Sequence, residues 1–160
     1  FKDKRIGNTV VVSPDVGNIK TAARYVAHLG TELAIIYKRR ISGSEVKSQE
    51  VIGDVEGKNI VMCDDIIATG GTICSAAKLI KERGAGKIYV GATHGVFAGK
   101  ALELLKDAPI EEVIVTDTIP LSEEAKKIKK IKVLTVSGML GEAIKRIHRD
   151  ESVSSLFNNR

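Results

Sequence analysis

Apolar positions along the chain follow two alternating rhythms. Residues 9–13, Thr-Val-Val-Val-Ser, form a β-branched run stopped by Pro14, which predicts a buried strand. From Gly17 the apolar residues Ile19, Ala22, Ala23, Val26 and Ala27 recur at helical spacing, and Gly30 stops them. Residues 33–37 predict a second strand. Residues 38–49 are polar and centre on Ser42, Gly43 and Ser44, which predicts an exposed mobile loop. A short strand over 50–52 precedes a turn at 53–57, and residues 59–63 predict a third strong strand.

The same alternation continues to the end of the chain. Ile73, Ala76, Ala77 and Ile80 share one face of a helix expected over 71–83, with Gly84 closing it. Strands are expected over 87–93, 113–116 and 133–136. Helices are expected over 98–106 and 123–130, and a last one is marked by Met139, Leu140, Ala143, Ile144 and Ile147. No internal repeat or low-complexity segment interrupts the series. Strand–helix alternation with short connections predicts an α/β fold, a mostly parallel β-sheet flanked by helices on both faces. Ligands of such sheets sit at the carboxyl ends of the strands. Three loops qualify: those after Ser13, Tyr37 and Cys63.

Composition narrows the class. The 160 residues suit one domain, and 43% hydrophobic with 28% charged residues is the balance of a soluble globular chain. Trp is absent and aromatics are 4%, so Val, Ile, Leu and Ala must build the core, as in a buried parallel sheet. A net charge of +5 favours anionic ligands but is too mild to call for nucleic acid. No apolar run reaches membrane-spanning length, and no signal peptide is evident, so no membrane partner is expected. Cys63 and Cys74 form no C-x-x-C pair, which predicts reduced thiols and a cytoplasmic setting. The sequence opens on Phe1 rather than Met and is expected to be one domain of a longer protein.

The segment from Val61 to Thr72 carries the chemistry. Asp64 and Asp65 end an apolar strand, and Gly70-Gly71-Thr72 opens a helix. Glycines let backbone approach an anion, and N–H groups at a helix start point at it along the helix dipole. Thr69 and Thr72 add hydroxyl donors. Together they make a cradle for a phosphate monoester. About one sugar length away, the two carboxylates can accept hydrogen bonds from vicinal hydroxyls and can hold Mg²⁺ through water. A Gly-Gly pair alone is usually a turn, and Asp-Asp alone is usually a solvated strand end; the joint pattern points to sugar phosphate. The lysine of a nucleotide P-loop is missing.

At these residues the chain resembles the phosphoribosyl-pyrophosphate (PRPP) signature of the type I phosphoribosyltransferase fold. Further runs narrow the resemblance to the C-terminal half of the ribose-phosphate pyrophosphokinases: Val11 to Gly17, Ala34 to Arg40, Ile52 to Gly57, Ala92-Thr93-His94, Val115 to Leu121 and Glu151 to Phe157. That family transfers pyrophosphate from ATP to the C1 hydroxyl of ribose 5-phosphate, giving PRPP and AMP. The resemblance implies that Ala68, Thr69, Gly70, Gly71 and Thr72 hold the 5-phosphate and that Asp64 and Asp65 bind the ribose 2- and 3-hydroxyls. It implies that Asp15 lies near C1 and helps place Mg²⁺. Lys38 and Arg40 would be the catalytic pair of a mobile loop, with Arg40 also contacting ribose 5-phosphate. Two positions apart in extended chain, they face the same way and could close on a triphosphate together. ATP's adenine would bind largely on an N-terminal domain and a sister subunit of a homo-oligomer.

Two positions depart from the family pattern. Ala68 stands where Asp or Ser is common; it keeps its N–H for the phosphate but supplies no carboxylate. Asn18 stands where a second Gly is usual, and Asn tolerates a positive φ better than most residues. Two other functions stay open: a phosphoribosyltransferase consuming PRPP, for which no aromatic-bearing hood segment is found, and a non-catalytic regulatory relative, which the presence of Lys38, Arg40 and Asp64 disfavours. His94 is expected to be structural. His28, His148 and the basic run 126–130 are expected on the surface, and Asp117 and Thr118 receive no role.

Overall fold

The computed structural model describes residues 1, 4, 6–42 and 45–157; the side chains of residues 38–48 lie outside that description. Seven strands form one sheet: β1 (Thr9–Ser13), β2 (Glu32–Ser42), β3 (Glu45–Ile52), β4 (Asn59–Ile67), β5 (Ile88–Gly95), β6 (Glu112–Thr116) and β7 (Ile131–Leu134). Their order is β3-β2-β1-β4-β5-β6-β7, and every pair is parallel except β2 with β3. Among the described residues five α-helices accompany them: α1 (Ile19–Leu29), α2 (Gly71–Glu82), α3 (Ala101–Asp107), α4 (Glu123–Lys126) and α5 (Ser137–His148).

Side-chain alternation divides the core between the two faces of the sheet. Val10, Val12, Ile60 and Met62 turn to one face and pack with Ile73, Ala76, Ala77 and Ile80 of α2, Leu105 of α3 and Ala125 of α4. Val11, Val61 and Cys63 turn to the other, against Ala22 of α1 and the half-buried Tyr25, Val26 and Leu29. The expected α/β sheet with helices on both faces is therefore what forms. From β1 the chain crosses through α1 to β2 on one side. From β4 it crosses through α2 to β5 on the other. The strand order thus reverses between β1 and β4, and a crevice opens outside their carboxyl ends.

Several boundaries differ from the sequence expectation. The polar stretch 38–49 is not a loop: β2 continues to Ser42 and pairs antiparallel with β3 from Tyr37↔Glu50 through Arg40↔Lys47 to Ser42↔Glu45. An edge hairpin is held by backbone bonds and tolerates polar side chains, so hydrophobic periodicity cannot report it. The strand β4 runs four residues past Cys63, in register with β5 to Ile67↔Gly95, so Asp64 and Asp65 lie within a strand and do not end one. The helix expected over 123–130 is a single turn, and β7 starts two residues earlier than expected.

Candidate functional site

The carboxyl ends of β1 and β4 bring Asp15, Asn18, Asp64 and Asp65 together. Beyond β1, the buried Ser13 hydroxyl donates to the Asp15 carbonyl at 2.6 Å, tightening the turn at Pro14. Asp15 caps the 3-10 turn Val16–Asn18: its Oδ1 accepts the Asn18 N–H at 3.0 Å. Asn18 reaches across the crevice, its Nδ2 donating to the Cys63 carbonyl at 2.6 Å and to Asp64 Oδ1 at 3.3 Å. Asn18 has φ −95°, so no left-handed backbone is required there, and its family-atypical side chain has a contact of its own.

Asp64 is half-buried and Asp65 exposed. Asp64 Oδ1 also accepts the Asp65 N–H at 2.9 Å, and Asp65 Oδ1 accepts the Ile66 N–H at 2.8 Å. Burial pushes the Asp64 carboxyl up to about 6, and the neighbouring Asp65 and Asp15 carboxylates push the same way. The site is thus short of positive charge among the described residues and suits hydroxyl donors or a cation. No group of three or more His, Cys, Asp or Glu that could cage a metal occurs among the described residues. This donor set suits Mg²⁺, which binds through one or two carboxylates plus water and substrate phosphates.

Beyond Ile67 the chain turns over Ala68 and Thr69 into α2. Gly70 is the N-cap with φ +74°, a left-handed conformation that a side chain disfavours. The Cys74 N–H closes the first helical turn on the Gly70 carbonyl at 2.9 Å, so the N–H groups of Gly71, Thr72 and Ile73 have no intrahelical partner. No side chain caps them. The carbonyls of Ile67 and Ala68 are taken by the N–H groups of Val96, Phe97 and Ala98, which anchors the loop from its outer side. Asp64 and residues 66–73 line a concavity of about 140 Å³. It is open to an anion at the N-terminus of a twelve-residue helix whose far side is buried in the core.

Asp15, Asp64, Asp65 and residues 68–72, all expected from sequence, therefore gather on the carboxyl edge of two adjacent strands. Lys38 and Arg40 lie on β2, on the stretch that runs beyond the carboxyl end of its neighbour β1. Their side chains lie outside the described residues. Cys63 and Cys74 are buried free thiols, Cys63 pushed up to about 12 by burial. His94, expected to be structural, shares Nδ1 with the Thr118 hydroxyl at 2.8 Å, and Thr118 Oγ1 in turn donates to the Thr93 carbonyl at 3.2 Å. Sequence reasoning missed the Asn18 bridge and the backbone ties from residues 96–98. Both join segments far apart in the chain, and no local pattern signals them.

Residues 39–158 match the family described as the phosphoribosyl synthetase-associated domain. The chain is 50% identical over 160 residues to a ribose-phosphate pyrophosphokinase of Haemophilus influenzae, covering 99% of this chain and 50% of that one. It is 50% identical over 158 residues to that of Caldanaerobacter subterraneus, covering 98% and 50%. Among solved structures, phosphoribosylpyrophosphate synthetase from Mycobacterium smegmatis matches with a TM-score of 0.82 and 38% identity over 89% of this chain and 46% of that one. An adenine phosphoribosyltransferase, at 21% identity and a TM-score of 0.52, shares the fold alone. The chain spans about half the length of the curated relatives it matches.

Proposed function

The chain belongs to the phosphoribosyl synthetase-associated domain family, and from that premise we propose that it is the acceptor-holding half of a ribose-phosphate diphosphokinase, which transfers pyrophosphate from ATP to the C1 hydroxyl of ribose 5-phosphate. One observation carries the proposal: the open start of α2 shares a concavity with Asp64 of β4, at the point where the strand order reverses. Ala68 to Thr72 take the 5-phosphate through backbone N–H groups and the Thr69 and Thr72 hydroxyls. Asp64 and Asp65 take the ribose hydroxyls. Asp15, across the crevice just beyond β1, faces C1 and is the first candidate ligand for Mg²⁺. When bound, the ion would offset charge on the transferred phosphates.

Lys38 and Arg40, on the β2–β3 hairpin, are the residues we assign to the triphosphate, with Arg40 also reaching ribose 5-phosphate. Such transfer is mostly positioning and charge stabilisation, which two cations on one strand can supply. Ala68 retains the N–H that the phosphate needs and lacks the carboxylate that a base-coupling transferase would use there, which favours the diphosphokinase over a PRPP-consuming enzyme. The two buried, unpaired thiols fit work in the reducing cytoplasm. Among the described residues no helix is long and apolar enough to cross a membrane.

The remaining half of the relatives' length is the domain to which we assign adenine binding, together with a sister subunit. The face we assign to that half lies on β7, α5 and the 3-10 turn Ser154–Phe157. Leu134, Met139, Leu140, Ile144, Ile147 and Phe157 are all exposed, and α5 buries no residue. Calorimetric titration of the chain with ribose 5-phosphate tests the acceptor site, with saturable binding expected. A coupled assay for AMP release tests the division of labour. The isolated chain is expected to turn over little or no ATP, and rapid PRPP formation by these 160 residues alone would refute the two-half arrangement.

A further inference from the structure

Asn18 occupies the seam between β1 and β4 and touches both banks of it. Its backbone N–H holds Asp15 Oδ1 at 3.0 Å, and its side-chain amide holds the Cys63 carbonyl at 2.6 Å and Asp64 Oδ1 at 3.3 Å. Both atoms that the amide meets across the seam are acceptors, a carbonyl and a carboxylate. Only the NH₂ end of the amide can face them, and both of its hydrogens are used. The β1–β4 ladder ends at Val12↔Met62, so the Cys63 carbonyl lies one residue past the last strand pair and takes its hydrogen bond from Asn18.

The consequence for Asp64 is rotational. Oδ1 accepts from Asn18 Nδ2 on one side and from the Asp65 N–H on the other, while Oδ2 has no hydrogen bond among the described residues. Asp65 Oδ1 likewise accepts the Ile66 N–H. Asp64 Oδ2 is left as the acceptor for a sugar hydroxyl. A site built to hydrogen-bond a hydroxyl rejects the analogue that lacks it, provided its acceptors cannot swing away to other partners. Asp65 has only a local clamp. Asp64 has one from across the seam, and a glycine at position 18 would remove it.

Resting on the ribose 5-phosphate assignment above, we propose that Asn18 is a positioning residue that fixes Asp64 and thereby sets the preference for ribose 5-phosphate over 2-deoxyribose 5-phosphate. Asn18 makes no hydrogen bond to Ala68–Thr72, the segment assigned to the phosphate, among the described residues.

The test compares the chain and its Asn18→Ala variant in calorimetric titrations with ribose 5-phosphate, 2-deoxyribose 5-phosphate and inorganic phosphate. The ratio of the two sugar affinities is expected to fall at least tenfold in the variant, with inorganic phosphate affinity unchanged. Asn18→Ser, which keeps one donor, is expected to recover part of the ratio, and it carries the same comparison if Asn18→Ala does not fold. An unchanged ratio overturns the proposal. So does an equal loss of affinity for all three ligands, which would mark Asn18 as a purely structural clamp. If the parent chain binds neither sugar phosphate, the assignment of the site itself fails; if it binds both equally, only the role of Asn18 fails.

Discussion

Two helices of twelve residues, α2 and α5, carry the same kind of apolar stripe and meet opposite fates. The first buries Ile73, Cys74, Ala76, Ala77 and Ile80 against the sheet. The second buries nothing, and its Ile144 and Ile147 are 68% and 65% exposed. Their N-termini differ as well. At α5 the Val136 N–H is taken by Asp117 Oδ1 at 2.9 Å and the Ser137 N–H by the Thr135 hydroxyl at 3.2 Å. Neither N-cap residue bonds its helix through a side chain, but at α2 no side chain takes a first-turn N–H either, and Gly70 opens the helix in a left-handed conformation. An amphipathic pattern thus states that a face is to be buried but not against what. The buried α2, whose first-turn N–H groups no side chain occupies, is the helix we propose takes the anion.

The largest test of this contrast is in the stripes. Ile80→Ala, at a fully buried site, is expected to cost about 2–5 kcal/mol in urea unfolding of the chain. Ile144→Ala is expected to stay within about 0.5 kcal/mol, as for an exposed position. Comparable losses at both positions would mean that α5 is packed within this chain after all. Next comes the open N-terminus. Gly70→Ala forces a side chain into φ +74°, with an expected cost of about 1–2 kcal/mol and a measurable loss of ribose 5-phosphate affinity by calorimetry. A third test probes the uncovered face directly. The double change Leu140→Glu with Ile144→Glu is expected to lower binding of an apolar fluorescent dye and leave the urea midpoint near that of the parent. Retained dye binding would place the apolar surface elsewhere.

The smallest expected effects are in pH dependence, and the two regions should have opposite signs. Asp64 is raised to about 6 from 3.8 by burial and by Asp65 and Asp15. Without divalent ions, the folded chain therefore holds a proton between about pH 4 and 6 that the unfolded chain has released. The contribution of Asp64 to stability is present at the acid end of that window and is lost as pH rises through about 6. Asp117 is held below its ordinary value by the Thr135 hydroxyl and the Val136 N–H, so its contribution is present above 3.8 and lost as pH falls through its folded value. Urea midpoints across this range should lose the first slope in Asp64→Asn and the second in Asp117→Asn. A parent chain and Asp64→Asn with parallel profiles would show that Asp64 is not raised.

The strands of the central sheet were legible because β-branched runs such as Thr9–Ser13 have little other use. The glycine-opened start of α2 was legible because glycines beside a helix start serve a specific backbone purpose. The β2–β3 hairpin was not legible, since its pairing uses backbone groups and leaves no apolar rhythm. The extension of β4 was hidden by the acidic pair itself: Asp64 and Asp65 break the apolar run while their backbones remain in register with β5. Asn18 stood out in the sequence only as a departure, and the concern attached to it was its φ. The structure gives that residue ordinary backbone and a cross-seam side-chain role, and its partner carbonyl lies 45 residues away.

That separation bears on the order in which the molecule assembles. The β4–α2–β5 unit is tied by the Lys87 N–H to Asn59 Oδ1 across 28 residues, whereas the Asn18 clasp on Cys63 closes a loop of 45. Longer loops cost more entropy to close, so the seam is expected to zip after the start of α2 already exists. A sugar phosphate bound as proposed would bridge α2 and the seam and act late, as a latch. It is expected to slow the chain's unfolding far more than it speeds its folding.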